Sequence, residues 1–241
     1  MQRWRLTVRR EADAPAIGQR EQQLAWEDGV LASGLPVALG DGESPRPRVV
    51  SGAPLTQGMA SDGELYEVFL TRRCPIWQVR ESLAGALPDG HALLDLEDVW
   101  LGEAPLPGRV VGAVYEAVVA GTDVSRDALA RATSGVLAAS TLPRERVKGE
   151  RRVAYDLRPF IDGLDVIGAG GSGSGSVLLS MRLRHDPEKG VGRPEEVIAE
   201  LADRVGPFEV LRIRRTALVL TEPKGVERAA APVVPRGPRR R

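Results

Sequence analysis

Apolar and charged residues alternate at the start of the chain: Trp4, Leu6 and Val8 stand against Arg3, Arg5, Thr7 and Arg9. A period of two with one apolar face predicts a half-buried strand. From Arg20 to Ala32 the period lengthens, with Leu24, Trp26, Val30 and Leu31 at helical spacing and Gly34 and Pro36 as the stop. Val37–Leu39 and Val49–Val50 flank the turn-rich stretch Gly40–Pro47, which predicts an interrupted second strand. Leu65–Leu70 is a short strand. Pro75 suits a first helical turn, with Ile76, Val79, Leu83 and Leu87 on one face. Pro88-Asp89-Gly90 turns the chain into a closing strand, Ala92–Leu101.

After Gly102–Arg109, whose Pro105 and Pro107 read as a linker, the same order returns. Val110–Val119 is apolar enough for a central strand covered on both faces. Ser125 caps a helix carrying Leu129, Val136 and Leu137, and Arg152–Ile167 is extended and broken at Pro159. Val177, Leu179, Met181 and Leu183 alternate with polar residues, Arg193-Pro194-Glu195-Glu196 opens a helix, and Leu211–Leu220 closes as a strand. Strand, helix, strand, strand, helix, strand, read twice, predicts an α+β fold of two tandem ferredoxin-like (βαββαβ) units with mostly antiparallel sheets. The first unit spans 1–104 and the second 109–222; the Pro/Arg-rich tail over 223–241 is expected to be disordered.

Composition narrows the function more than the fold. The formal net charge is +0, so any hold on nucleic acid must come from local clustering and not from the overall field. Cys74 is the single cysteine, which excludes an internal disulfide and a cluster held by several cysteines. The N-terminus has no signal-peptide core, and even the apolar run Val110–Ala120 carries Glu116. The expected setting is cytoplasmic, with no membrane partner.

Several motifs invite chemistry and then withdraw it. Gly168-Ala169-Gly170-Gly171-Ser172-Gly173 matches G-x-G-x-x-G, but a dinucleotide site needs a helix at the third glycine, and here an alternating strand follows. Cys74 precedes a helix start, where a thiol can be activated, yet the only histidines are His91 after a turn and His185 at a strand end, both expected at the surface. Asp95, Glu97 and Asp98 cluster without histidines to complete a metal site and read as a solvated face. No catalytic, cofactor-binding or metal-binding residue is assigned, and no cofactor is expected.

Arginines carry the remaining signal. Arg3, Arg5 and Arg9 point away from the helix-facing side of the first strand, as do Arg182, Arg184, Arg212 and Arg214 in the second unit. Sheet-based RNA binders use such a face but add stacking aromatics, and the chain is only 4% aromatic. Solvated arginines or contacts between the units explain these positions better. In Gly42–Arg48, Pro45 and Pro47 stiffen a loop that presents Arg46 and Arg48, a way to offer paired cations to phosphate or carboxylate.

At this loop the sequence becomes recognisable. Gly34-Leu35-Pro36, Pro45-Arg46-Pro47-Arg48, Ala53-Pro54-Leu55, Gly58 and Gly63-Glu64-Leu65-Tyr66 follow one another. Tyr155-Asp156-Leu157-Arg158-Pro159, Arg193-Pro194-Glu195-Glu196-Val197 and Arg214-Arg215-Thr216 continue the series in the second half. In order and spacing these resemble the radical-SAM-linked family, domain of unknown function 2344, up to about Leu220. The family is bacterial and uncharacterised, and its members are often encoded beside or fused to a cobalamin-type radical SAM protein, near genes for an RNA-processing endonuclease and ribosomal proteins. The family's Ser-His-Leu-Asp stretch entering the first helix is Gly18, Gln19, Arg20 and Glu21 here. Its Tyr-Ser-Gln-Gly-Phe-Asn run is Leu39–Ser44, keeping only the glycine, so this is a divergent member.

The resemblance implies a non-catalytic accessory protein that assists a radical SAM enzyme on an RNA or ribosomal target. Pro45, Arg46, Pro47 and Arg48 are the leading contact residues; Arg158, Arg193 and Arg215 are weaker candidates that also suit loop bracing. Two other readings compete. One is a protein-interaction scaffold without RNA contact. The other is an endoribonuclease, since tandem ferredoxin-like units resemble CRISPR repeat-processing nucleases; but the glycines fall between the wrong strands, and general acid–base cleavage lacks players.

Overall fold

The computed structural model describes residues 1–121, 125–149, 151–170 and 175–221. The expected tail over 223–241 and part of the glycine stretch, 171–174, lie outside these residues. The first half forms β1 (Gln2–Arg10), α1 (Gln19–Ala32), β2 (Val49–Ser51), β3 (Ala60–Leu70), α2 (Ile76–Ala84) and β4 (His91–Val99). Its strands pair antiparallel in the order β4-β1-β3-β2. The second strand is interrupted as expected: Val37 and Leu39 make only single bridges, to Leu70 and Pro47.

A short helix α3 (Leu106–Arg109) leads to β5 (Val110–Ala120) and α4 (Arg126–Ala138). The Ser125 hydroxyl accepts from the Ala128 N–H at 3.1 Å, the predicted cap. Then come β6 (Pro143–Lys148), β7 (Arg151–Asp156), a 3₁₀ turn at Arg158–Phe160, β8 (Ile161–Ala169), β9 (Ser176–Asp186), β10 (Gly190–Val191), α5 (Pro194–Val205) and β11 (Glu209–Leu220). Here the antiparallel order is β11-β5-β9-β8. β6 and β7 form a separate hairpin. β8 and β9 are antiparallel neighbours, so the glycine stretch joins two strands and no helix begins at its end.

The halves share one sheet. β11 runs parallel beside β3 through Arg214↔Ala60 and Arg215↔Ser61, giving a nine-stranded, mostly antiparallel sheet. At this junction a Cβ on Gly63 would meet the Thr216 carbonyl at 2.7 Å, so only glycine lets the two backbones approach. One core packs Trp4, Leu6 and Val8 of β1 against Trp26, Val30, Val79 and Leu83 of the helices. The other packs Leu179, Met181 and Leu183 of β9 against Leu129, Val136, Val197 and Leu201. Burying each such side chain contributes about 1.5–3 kcal/mol. The stretch read as a linker is packed instead: Leu106 is fully buried and Arg109 nearly so.

Candidate functional site

The predicted contact residues do not converge. Arg46 reaches back to α1, pairing with Asp28 and lying 3.7 Å from Glu27. Pro47 is buried, Pro45 is exposed, and Arg48 is exposed with its guanidinium 4.0 Å from the centre of the Phe69 ring. Arg158 donates to the Leu137 carbonyl at 2.8 Å and the Ile161 carbonyl at 2.7 Å, the loop brace anticipated for it. Arg193 stands exposed at the N-cap of α5. Arg215 is 1% exposed. It pairs with Glu64 and donates to the carbonyls of Pro54 at 2.9 Å and Ala53 at 3.1 Å. Burial works most strongly against its charge, but Glu64 and Tyr115 together outweigh it, so the guanidinium pKa lies above its ordinary value.

The arginine-bearing face of β1 is also occupied. Arg3 and Arg5 do point away from the helices, but they are 3% and 6% exposed. Glu67, directly opposite Arg5 on β3, takes Arg3 at 2.6 Å and Arg5 at 2.8 Å. The segment following β4 covers them: Glu103 receives Arg5 at 2.7 Å and also pairs with Arg109, while the Ala104 carbonyl receives Arg3 at 3.0 Å. In the second half Arg184 pairs with Asp162, and Arg214 with Glu116 and Asp62.

Two of the family-pattern segments, Ala53-Pro54-Leu55 and the one ending in Tyr66, do meet the divergent Gln19 and Arg20 around a pocket the sequence did not reveal. A cavity of about 520 Å³ opens between the first turns of α1 and the turn after β2. Gln19, Arg20, Gln22 and Gln23 line one side, Ala53, Pro54 and Leu55 the other, and the Trp26 and Tyr66 side chains form its floor. Their rings stack at 3.9 Å, and the Tyr66 hydroxyl accepts from the Gln22 amide at 3.2 Å. Burial pushes the Tyr66 phenol well above the usual tyrosine range, so it stays protonated and remains a donor. Trp26 is 1% exposed, and its indole N–H lies near the Tyr66 hydroxyl without completing a well-formed hydrogen bond. Behind the wall, Arg215 holds the Ala53 and Pro54 carbonyls in place, so β11 shapes a pocket built from the first half.

The remaining titratable groups do not line this pocket, although His91 packs edge-on against Trp26 at 5.7 Å. Cys74 is buried, its N–H donating to Gln2 at 2.9 Å. Among the described residues no group of three or more His, Cys, Asp or Glu is placed to hold a metal ion. His185 has its pKa pushed down to about 4, by burial first and then by Arg215, and its Nε2 is buried without a partner. Protonation therefore favours the unfolded chain, whose histidine titrates near 6.5. Stability is full above about pH 6.5 and is lost as the pH falls toward 4. His91 is shifted in the same direction by burial. His185→Gln is expected to reduce the fall in urea midpoint between about pH 6.5 and 5, above most carboxylate titrations. An unchanged pH slope would contradict the assignment.

Fold and pocket together define a mixed α+β protein with a mostly antiparallel sheet and an open pocket beside its first helix. Within that class the chain belongs to the bacterial family described as "Uncharacterized protein conserved in bacteria (DUF2344)", whose pattern matches residues 3–191. The match takes in every pocket residue and stops before α5 and β11, so the Arg193–Val197 and Arg214–Thr216 segments fall beyond it. No curated protein matches the chain. Among solved structures, a chain of the "Crystal Structure of a Cbf5-Nop10-Gar1 Complex" is 12% identical with a TM-score of 0.46, covering 88% of this chain and 49% of its own. The present chain thus spans about half the length of that one. A protein in the "Crystal Structure of an Unknown Protein from Galdieria sulphuraria" is 16% identical with a TM-score of 0.23, covering 89% of this chain and 98% of its own. No helix among the described residues is long and apolar enough to cross a membrane.

Proposed function

We propose that the chain is a non-catalytic, cytoplasmic accessory protein that assists a radical SAM enzyme by recognising an RNA or ribosomal target. We further propose that its halves are tandem ferredoxin-like units, 1–104 and 109–222, a reading supported by their matching strand orders. The observation that supports the functional reading is that Ala53-Pro54-Leu55 and Tyr66, picked out by family resemblance, wall one pocket with the divergent Gln19 and Arg20 of α1. Its lining of amides, one exposed arginine and a protonated phenol suits recognition by hydrogen bonding. A protein-interaction scaffold without RNA contact is the second reading, favoured by the engagement of Arg46, Arg158 and Arg215 within the fold itself.

The test is capture of partners by the tagged protein from its own host lysate, with and without nuclease. A radical SAM enzyme recovered in both arms is expected, along with RNA or ribosomal proteins in the untreated arm. Arg20→Glu, at an exposed pocket position, should lower target recovery while leaving the enzyme bound. Recovery of the enzyme alone, in both arms and for both proteins, would select the scaffold. Recovery of neither would overturn the proposal.

A further inference from the structure

Two of the four tryptophans are out in solvent, and both lie at one end of the first half's sheet. Trp4 and Trp26 are buried at 3% and 1%, whereas Trp77 and Trp100 are 66% and 76% exposed. Strand register brings the exposed pair together. Gln2 opens β1 opposite Leu70, and Arg3 is opposite Val99, so Trp100 follows β4 beside the start of β1. The Gln2 side chain then bridges both neighbours, accepting from the Cys74 N–H at 2.9 Å and donating to Asp98 at 2.8 Å. Trp77, in the first turn of α2, therefore flanks the same strand end from the other side.

Around this strand end the chain places cations on both faces of the sheet, Arg48 on the face away from the helices and Arg72 and Arg73 beside α2. Arg72 and Arg73 link β3 to α2, both exposed, and neither has an ion-pair partner among the described residues. Arg48 lies over Phe69, the residue opposite Arg3, and shares a groove of about 300 Å³ with Met1 and Leu101. The carboxylates of that groove are already committed: Glu67 to Arg3 and Arg5, Glu103 to Arg5 and Arg109. Asp98 takes the neutral Gln2 amide and keeps its charge, one negative against three guanidinium groups without an ion pair. The patch is locally cationic in a chain whose formal charge is +0.

We propose that this end of the sheet, through Arg48, Arg72, Arg73, Trp77 and Trp100, binds single-stranded nucleic acid. The guanidinium groups track phosphates and the indoles stack on bases, the pairing that gives sequence-tolerant binding of unpaired strands. An exposed indole would also suit a protein partner, but the three guanidinium groups left without carboxylates favour a polyanion. The inference deepens the functional reading above by naming where an RNA target is held, and it rests on the RNA limb of that reading.

The experiment uses the purified full chain and fluorescein-labelled oligo(U) and oligo(dT) of about 12 nucleotides, within the span of one such site. Anisotropy gives the affinity, and the two arms tell whether RNA or DNA is the preferred strand. Trp77→Ala and Trp100→Ala should each raise the Kd about tenfold. Arg72→Ala with Arg73→Ala should lower the slope of log K against log salt by about 1.4, the loss of two phosphate contacts on a single strand. All four positions are exposed, and an unchanged urea midpoint confirms that the variants fold. Undiminished binding by the variants overturns this surface while leaving RNA recognition elsewhere on the chain intact. No binding by the unaltered protein overturns it as well, and lysate capture then decides separately whether the accessory reading stands.

Discussion

Arg215→Ala is expected to lower the unfolding free energy by about 3–5 kcal/mol, because it leaves Glu64 buried and uncompensated. With an m-value of about 2.5 kcal/mol/M for urea, the midpoint should fall by about 1–2 M. Arg215 and Glu64 are 1% and 3% exposed, so neither charge can turn to water. They join β11 to β3 where the halves share a sheet, alongside the Ser61 hydroxyl that donates to the Arg215 carbonyl at 2.9 Å. Glu64→Ala should cost a similar amount, leaving the guanidinium with the Ala53 and Pro54 carbonyls and the neutral Tyr115 hydroxyl. The double change Arg215→Met with Glu64→Leu should recover most of the loss, because apolar packing replaces two desolvated charges. A loss below about 1 kcal/mol for the single variant would show that the pair is not structurally buried in solution. Arg215→Ala should also weaken target recovery in lysate capture, since the carbonyls it frees belong to the pocket wall.

Periodicity made the skeleton legible and left the contacts out of view. The alternation in β1 assigned Trp4, Leu6 and Val8 to the helix side correctly, and it placed Arg3 and Arg5 on the other. It could not say what covered the arginines, since Glu67 and Glu103 arrive from distant strands and turns through topology. β7 falls in the stretch read as extended, but its hairpin partner β6 was missed because Arg144, Glu145 and Arg146 put charges on both faces and erase the alternation a strand needs. Helix α3 was missed because Pro105 and Pro107 read as linker residues, although prolines fit the cap and first turn of a helix. Strand β3 begins at Ala60, earlier than Leu65, because Ser61, Asp62 and Gly63 carry no apolar signal.

The site was legible only in fragments. Ala53-Pro54-Leu55 and Gly63-Glu64-Leu65-Tyr66 stood out by resemblance, as did the departure at Gly18–Glu21, yet nothing linear says that they share a cavity. Exposed loop arginines drew attention because cations in a rigid turn can meet an anion, but Arg46 meets Asp28 of the same chain. Arg72 and Arg73 passed unnoticed because two charged residues between a strand and a helix look like any connection. Their meaning depends on Trp77 and Trp100, which only the register of β1 with β3 and β4 brings near.

Glu67 is the hub of the covered face, and removing its charge tests whether that face is structure or surface. Glu67→Gln keeps the shape and leaves Arg3 and Arg5 as neighbouring cations at 3% and 6% exposure. Arg3 would retain only the carbonyls of Glu103 and Ala104. Arg5 would keep Glu103 at 2.7 Å and the exposed Glu97 at 3.5 Å, so its loss is partial. The expected cost is therefore about 3 kcal/mol, the lower end for an ion pair broken in the interior. Added salt should restore little of it, because ions cannot enter to screen charges under the 103–109 segment. Adding Arg3→Met to Glu67→Gln should recover part of the loss by removing one unpaired cation, whereas the same change in the unaltered protein should destabilise it. That reversal of sign marks a coupled buried network. Independent, additive effects would instead describe arginines free in solvent, the state that a phosphate-binding sheet face would need.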